Sequence, residues 1–135
     1  MKKRFDWMII PTAIAMTMAI ATSVYSTPVQ TPLAAPITIS GNSGGSQSSQ
    51  CGFIPTEPNQ VLVVNQPSPI RIKLQGQGQP TLWITGPSSR CVMADADDSG
   101  TIEVPGVWGQ GTYSVFVGDM APGGHPFTLS ITQEN

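Results

Sequence analysis

An acidic segment between two apolar runs has the residue types and spacing for metal chemistry. The segment Asp95-Ala-Asp97-Asp98-Ser99-Gly100-Thr-Ile-Glu103 follows the first nine positions of a calcium-binding loop. The predicted oxygen ligands are Asp95, Asp97, Ser99 and Glu103, with Asp119 as a further ligand if the fold brings it close. A bidentate Glu is missing, however, because Gly106 stands at the twelfth position. A solvated acidic turn is therefore the favoured interpretation, so we expect no cofactor, with calcium as the one alternative.

The sequence contains no recognisable catalytic set. His125 is the only histidine and lies in a Gly-Gly-His-Pro segment, which is typical of a surface loop. The serines lack the strand-to-helix context of a nucleophile elbow, and no pair of carboxylates is marked as an acid and a base. We therefore expect that the protein is not an enzyme.

Cys51 and Cys91 are the only cysteines, and they predict a disulfide. A folded part of about 85 residues gains substantially from such a crosslink, by roughly 4 kcal/mol in the chain-entropy model. A reactive thiol or a metal-binding thiol would need a basic neighbourhood or further ligands, and only Arg90 is near.

The charge balance excludes two classes of partner. Residues 27–135 carry three basic and seven acidic residues, which gives a net charge of −4. Nucleic acids and anionic membrane surfaces require clustered lysine and arginine, so we expect neither as a partner. A protein or polysaccharide partner stays open, and so does the oligomeric state.

The chain divides into three segments. Residues 1–26 begin with three basic residues and continue with uncharged residues from Trp7 to Val24, which predicts an export signal or, alternatively, an uncleaved membrane anchor. Residues 27–50 are rich in Pro, Ser, Gly, Gln and Thr and predict a flexible linker, with Ile37 to Ile39 as a weak candidate for a short edge strand. Residues 51–135 predict the folded domain, in a secreted or periplasmic protein that is free or tethered by its N-terminus.

Short apolar runs recur in residues 51–135 at intervals of about ten residues, each bounded by Gly, Pro, Asn or Asp. This rhythm predicts an all-β fold, a small antiparallel β-sandwich of about seven to eight strands. Residues 112–119 and 127–132 alternate between apolar and polar side chains and predict two half-buried strands that form an antiparallel hairpin.

The same alternation places two large aromatic residues among the outward-facing positions. Leu82 and Ile84 face the core, so Trp83 faces outward, and Phe116 shares the polar side of its strand with Ser114. Exposed aromatic rings are typical of surfaces that contact a sugar ring or an apolar patch of a partner. Trp83 and Phe116 are thus the candidate binding residues, unless another segment of the chain covers them.

The order of motifs from Val61 to Thr132 resembles that of the bacterial pre-peptidase C-terminal domain family. The matching segments are Leu82 to Ile84 followed by Gly86-Pro87, then Gly100 to Val104, Gly111 to Gly118, and Phe127 to Ile131. The resemblance implies a jelly-roll-like sandwich that is exported, has no catalytic activity of its own, and in relatives accompanies a secreted enzyme and assists binding or secretion. Because Trp83 stands where the family often has a carboxylate, an inherited calcium site is not implied.

These observations predict an exported, non-catalytic binding or accessory module for a polysaccharide or protein partner in the cell envelope or outside the cell. The alternative is a structural envelope protein that calcium stabilises through the loop from Asp95 to Glu103.

Overall fold

Alternating apolar and polar residues give an all-β fold with no helix among the residues that the structure describes. The structure is a computed structural model that describes residues 27–94 and 100–134. Twelve strands lie within these two ranges and form two sheets. The predicted export signal or anchor, residues 1–26, lies outside the described residues.

The first sheet has seven strands. They are β1 (Val29–Gln30), β3 (Gln47–Ser49), β4 (Gly52–Ile54), β5 (Gln60–Val64), β7 (Pro80–Thr85), β8 (Arg90–Met93) and β11 (Gly111–Asp119). Strand β11 is central, because it pairs with β5 and then β4 along one side and with β7 along the other.

The second sheet has five strands. They are β2 (Ile37–Asn42), β6 (Ser68–Gly76), β9 (Thr101–Val104), β10 (Val107–Trp108) and β12 (Pro126–Gln133). Strand β6 pairs with β12 along one side and with β9 and β10 along the other, and β2 extends the sheet beyond β12.

The two sheets pack face to face around one apolar core, as the alternation predicts. The inward residues of β6 (Ile70, Ile72, Leu74) and of β7 (Leu82, Ile84) are fully or almost fully buried. Both predicted strands of the C-terminal segment contribute to this core, with Val115 and Val117 from β11 and Leu129 and Ile131 from β12. The prediction of an all-β sandwich is therefore confirmed.

The predicted C-terminal hairpin is wrong. Strands β11 and β12 follow each other in sequence, but they belong to different sheets and have different partners. Residues 120–125 connect them across the gap between two packed sheets, which is about 10 Å wide. A two-residue turn could not span that gap, so the length of this loop is the signal that distinguishes a crossover from a hairpin.

Residues 27–50, expected to be a flexible linker, instead contain β1, β2 and β3. Strand β2 pairs with β12 over six residues, and Ile37 and Ile39 pack against the core. Two alternating isoleucines suffice here because β12 offers an unpaired edge for backbone hydrogen bonds. These strands, together with the short β4 and β10, raise the total above the predicted seven or eight.

Candidate functional site

Trp83 and Phe116 lie side by side on the outer face of the seven-stranded sheet. They are directly opposite each other in the register between β7 and β11, and both are partly buried. Their neighbours in sequence, Leu82, Val115 and Val117, are fully buried in the core. Because side chains alternate along a strand, the two aromatic residues must face away from the core on the same side of the sheet.

The surroundings of this aromatic pair are mixed in polarity. Ser114 and Thr85 form the next register pair on the same face, and both are partly exposed. On the other side of Trp83, Cys91 lies opposite it in β8. A flat aromatic surface beside hydroxyl groups is suited to a ligand that presents both apolar and hydrogen-bonding faces.

The predicted disulfide between Cys51 and Cys91 is confirmed. It joins the turn between β3 and β4 to strand β8. The hydroxyl of Thr81 donates to the carbonyl of Cys51 at 2.7 Å, so Thr81 is fully buried although the alternation predicts an outward position. Gly118, opposite Thr81, has no room for a side chain, because a Cβ would lie 2.6 Å from Oγ1 of Thr81.

A second cluster surrounds Asp119, whose carboxylate is fully buried at the end of β11. Oδ2 of Asp119 accepts a hydrogen bond from the hydroxyl of Ser43 at 2.9 Å and lies 2.7 Å from Nδ1 of His125. Oδ1 accepts from the backbone N–H groups of Gln79 at 3.1 Å and of Ala121 at 2.9 Å. The carboxylate thus connects the three loops that follow β2, β6 and β11.

The pKa of Asp119 lies below its ordinary value. Burial disfavours the charged carboxylate and would raise the pKa, but four interactions together outweigh it. The N–H of Ala121, the hydroxyl of Ser43, His125 and the N–H of Gln79 all stabilise the ionised form. The carboxylate is therefore charged over the whole neutral range.

Ser43, Asp119 and His125 have the composition of a catalytic triad but not its connectivity. In a triad the histidine lies between the serine and the aspartate and takes the proton of the serine. Here both Ser43 and His125 bind the same oxygen of Asp119, and Ser43 is buried. Ser43 therefore has no base against its hydroxyl in this arrangement, and the cluster holds loops together.

The predicted calcium ligands do not form one group within the described residues. Asp95, Asp97 and Ser99 lie outside those residues. Glu103 forms an ion pair with Arg71 at 2.6 Å on the five-stranded sheet, whereas Asp119 belongs to the other sheet and is held by the donors above. Among the described residues, no three His, Cys, Asp or Glu side chains come together in a way that would hold a metal ion.

Sequence reasoning missed the role of Ser43 and His125. Ser43 lies in the segment expected to be a linker, 76 positions before Asp119, so no local pattern relates them. His125 is closer, six positions after Asp119, and its ring is only one-third exposed. Gly78 packs against the same histidine, since a Cβ at this position would lie 2.5 Å from Nδ1 of His125.

In the part of the chain that the structure describes, no helix is long and apolar enough to cross a membrane.

The two packed sheets define the class of small β-sandwich domains. The structure is similar to the pre-peptidase C-terminal domain of collagenase from Bacillus anthracis, with a TM-score of 0.50 and 15% sequence identity, over 82% of this chain and 100% of that domain. The resemblance that the sequence motifs indicate is thus confirmed at the level of the fold. No family model matches the chain.

A relative in sequence is the uncharacterized protein Synpcc7942_2126 of Synechococcus elongatus, which is 31% identical over 133 residues. The match covers 95% of this chain and 96% of the relative, so the chain belongs to the same protein family. A second solved structure, the periplasmic inhibitor PliG of g-type lysozyme from Aeromonas hydrophila, has a TM-score of 0.41 and 12% identity over 82% of this chain and 98% of its own.

Proposed function

We propose that the protein is an exported, non-catalytic binding or accessory module that contacts a polysaccharide or protein partner through the outer face of its seven-stranded sheet. The observation that carries the proposal is the direct pairing of Trp83 with Phe116 on that face, with both side chains only partly buried. Contiguous apolar surface on a solvent-facing side of a sheet often marks a site of interaction, and aromatic residues are enriched in binding surfaces.

A polysaccharide is the partner that this face fits first. Sugar rings offer an apolar face that packs on an aromatic ring and hydroxyl groups that pair with polar neighbours. Ser114 and Thr85 supply such neighbours beside the aromatic pair. A protein partner with an apolar patch would use the same two rings.

Export is the second part of the proposal. It is supported by the basic and then uncharged residues at the N-terminus and by the disulfide between Cys51 and Cys91, a bond that persists in oxidising compartments. We propose that the protein acts in the periplasm or outside the cell, either free or held by its N-terminus.

The test compares Trp83→Ala with the unchanged protein in sedimentation with insoluble peptidoglycan, cellulose and chitin. We expect the unchanged protein to bind at least one of these, and the variant to lose about tenfold or more in affinity while Tm falls by less than about 5 °C. Leu82→Ala is the matched control. Leu82 is next to Trp83 in sequence but is fully buried, so truncating its side chain should lower Tm strongly.

Two results would count against this proposal. A fall in Tm for Trp83→Ala as large as that for Leu82→Ala would make Trp83 a core residue. Equal sedimentation of the variant and the unchanged protein would remove the outer face from polysaccharide binding.

A further inference from the structure

A cleft of about 120 Å³ opens at the edge of the sandwich, away from the aromatic pair. It lies where the loop between β7 and β8 of one sheet faces the residues between β9 and β10 of the other. The residues that line it and matter for its chemistry are Ile84, Ser88, Arg90, Val107, Trp108 and Tyr113.

The floor of the cleft is formed by two aromatic rings. Trp108 and Tyr113 meet edge to face, with ring centroids 4.9 Å apart and an angle of 78° between the rings. The hydroxyl of Tyr113 donates to the carbonyl of Gly109 at 2.9 Å. Because both rings are almost fully buried, the floor gives the cleft a fixed shape and exposes little ring surface.

The rim carries a positive charge that the described part of the chain leaves without a counter-ion. Arg90 lies opposite Ile84 in the register, so it faces the same side of the sheet as Ile84, towards the gap between the sheets. Arg71 forms ion pairs with Glu103 and Glu134, whereas no carboxylate among the described residues pairs with Arg90. Within residues 27–94 and 100–134, the guanidinium donors are thus not taken by a carboxylate and can bind one from a ligand.

The rim also carries an exposed apolar residue. The side chain of Val107 is 73% exposed, which is the largest exposure among the large hydrophobic residues that the structure describes. Arg90 and the exposed Val107 thus lie together at one cleft, and their chemistry suits a carboxylate next to an apolar group.

We propose that this cleft binds a carboxylate side chain of a protein partner, followed by an apolar residue that contacts Val107. The volume suits one side chain better than a sugar ring with its hydroxyl groups, for which Arg90 and Ser88 supply too few side-chain donors. Arginine binds carboxylates through two parallel hydrogen bonds, which gives such an anchor both strength and direction. The proposal does not depend on the aromatic outer face.

The experiment is an NMR titration of the intact, ¹⁵N-labelled chain, with its disulfide formed, against the peptide N-acetyl-Glu-Leu-amide. We expect amide shifts at Arg90, Gly106, Val107 and Trp108, with a Kd in the range of about 1–10 mM, as befits a single anchor. The matched peptide N-acetyl-Gln-Leu-amide should bind at least about tenfold more weakly, since it lacks the charge.

Two variants complete the design. Arg90→Gln should lose about tenfold or more in affinity for the Glu peptide, and Lys73→Gln, which removes a cation from a different face, should bind it unchanged. The dispersion of the NMR spectrum shows directly whether each variant is folded. Shifts at Trp83 and Phe116 would instead report the outer face, so failure here and failure of the proposed function are distinguishable.

Three outcomes would overturn the inference. One is equal affinity for the Glu and Gln peptides, and another is unchanged affinity in Arg90→Gln. The third is a tighter interaction with glucuronate than with the Glu peptide, which would make the cleft a subsite for an acidic sugar.

Discussion

At the scale of single residues, Asp119 shows how one buried carboxylate can fix the positions of loops that have no regular secondary structure. Its carboxylate accepts from two side chains and two backbone N–H groups that belong to three different loops. A buried carboxylate is tolerated only when its oxygens are well bonded, and these four partners meet that requirement. We infer that Asp119 orders the end of the sandwich where β2, β6 and β11 finish.

Asp119→Asn should destabilise the protein by about 3 kcal/mol, because one carboxylate oxygen is replaced by an NH₂ group that cannot accept the bonds of Oδ2 or Oδ1. Denaturant unfolding at neutral pH measures this change. Glu57→Gln is the control, since Glu57 is exposed and its replacement should change the free energy of unfolding by less than about 0.5 kcal/mol.

The same residue predicts a pH dependence. Since the pKa of Asp119 is lowered in the folded state, its ionisation contributes stability that is fully present above the unfolded value of about 3.9. This contribution is lost as the pH falls through the folded pKa. Unfolding measured from pH 5 down to pH 2 should therefore depend less on pH in Asp119→Asn, and equal slopes in the two proteins would contradict the role given to the carboxylate.

At the scale of elements, the alternation of side chains predicted which residues face the core but not which strands pair. Ile70, Ile72, Leu82 and Ile84 all point inward as expected. The pairing of strands cannot be predicted in this way, because side chains alternate with a period of two whether the next strand lies in the same sheet or in the opposite one. That is why β11 and β12 were predicted to pair although they lie in different sheets.

The aromatic pair and the Asp119 cluster differ in how much of each site the local sequence predicts. The outward positions of Trp83 and Phe116 follow from their own strands, and only their adjacency needed the fold. The cluster joins residues far apart in sequence, among them Ser43 from a segment whose composition is typical of a linker. The composition of a segment indicates the entropy cost of ordering it. It does not show the backbone hydrogen bonds that the segment gains by pairing with the edge strand of a sheet.

Strand β2 provides the test at this scale. Hydrogen exchange followed by mass spectrometry should show the peptide covering Ile37–Asn42 protected by at least about 100-fold relative to the unfolded chain, as expected for a strand paired over six residues. The reduced, denatured protein gives the reference rate. Exchange of this peptide at the reference rate, while β6 and β12 remain protected, would return residues 37–42 to the class of flexible linkers.

At the scale of the whole molecule, β11 connects the three features described above. Tyr113 lines the cleft at one end, Phe116 lies on the outer face, and Asp119 ends the strand at the other end. Six residues of extended strand separate Tyr113 from Asp119 by about 20 Å. The cleft and the Asp119 cluster thus lie at opposite ends of the sandwich, and substitutions at one should leave the other intact.

The acidic segment from Asp95 to Glu103 belongs to this scale, because it starts after β8 of one sheet and extends into β9 of the other. Calcium takes six to eight oxygen ligands. Glu103 is engaged by Arg71, and Asp119 is engaged by Ser43 and His125, so two of the five predicted ligands already have partners. We therefore expect Tm to be the same, within about 1 °C, in excess calcium and in chelator.

Thermal unfolding in the two solutions measures this directly, and a double variant, Asp97→Asn with Asp98→Asn, is the matched control. A site occupied at about 100 times its Kd would add about 2.7 kcal/mol, which for a domain of this size raises Tm by about 10 °C or more. A rise of that size, lost in the double variant, would contradict our expectation and favour the calcium-stabilised structural protein. A shift of Tm that persists in the double variant would place the bound ion elsewhere in the fold.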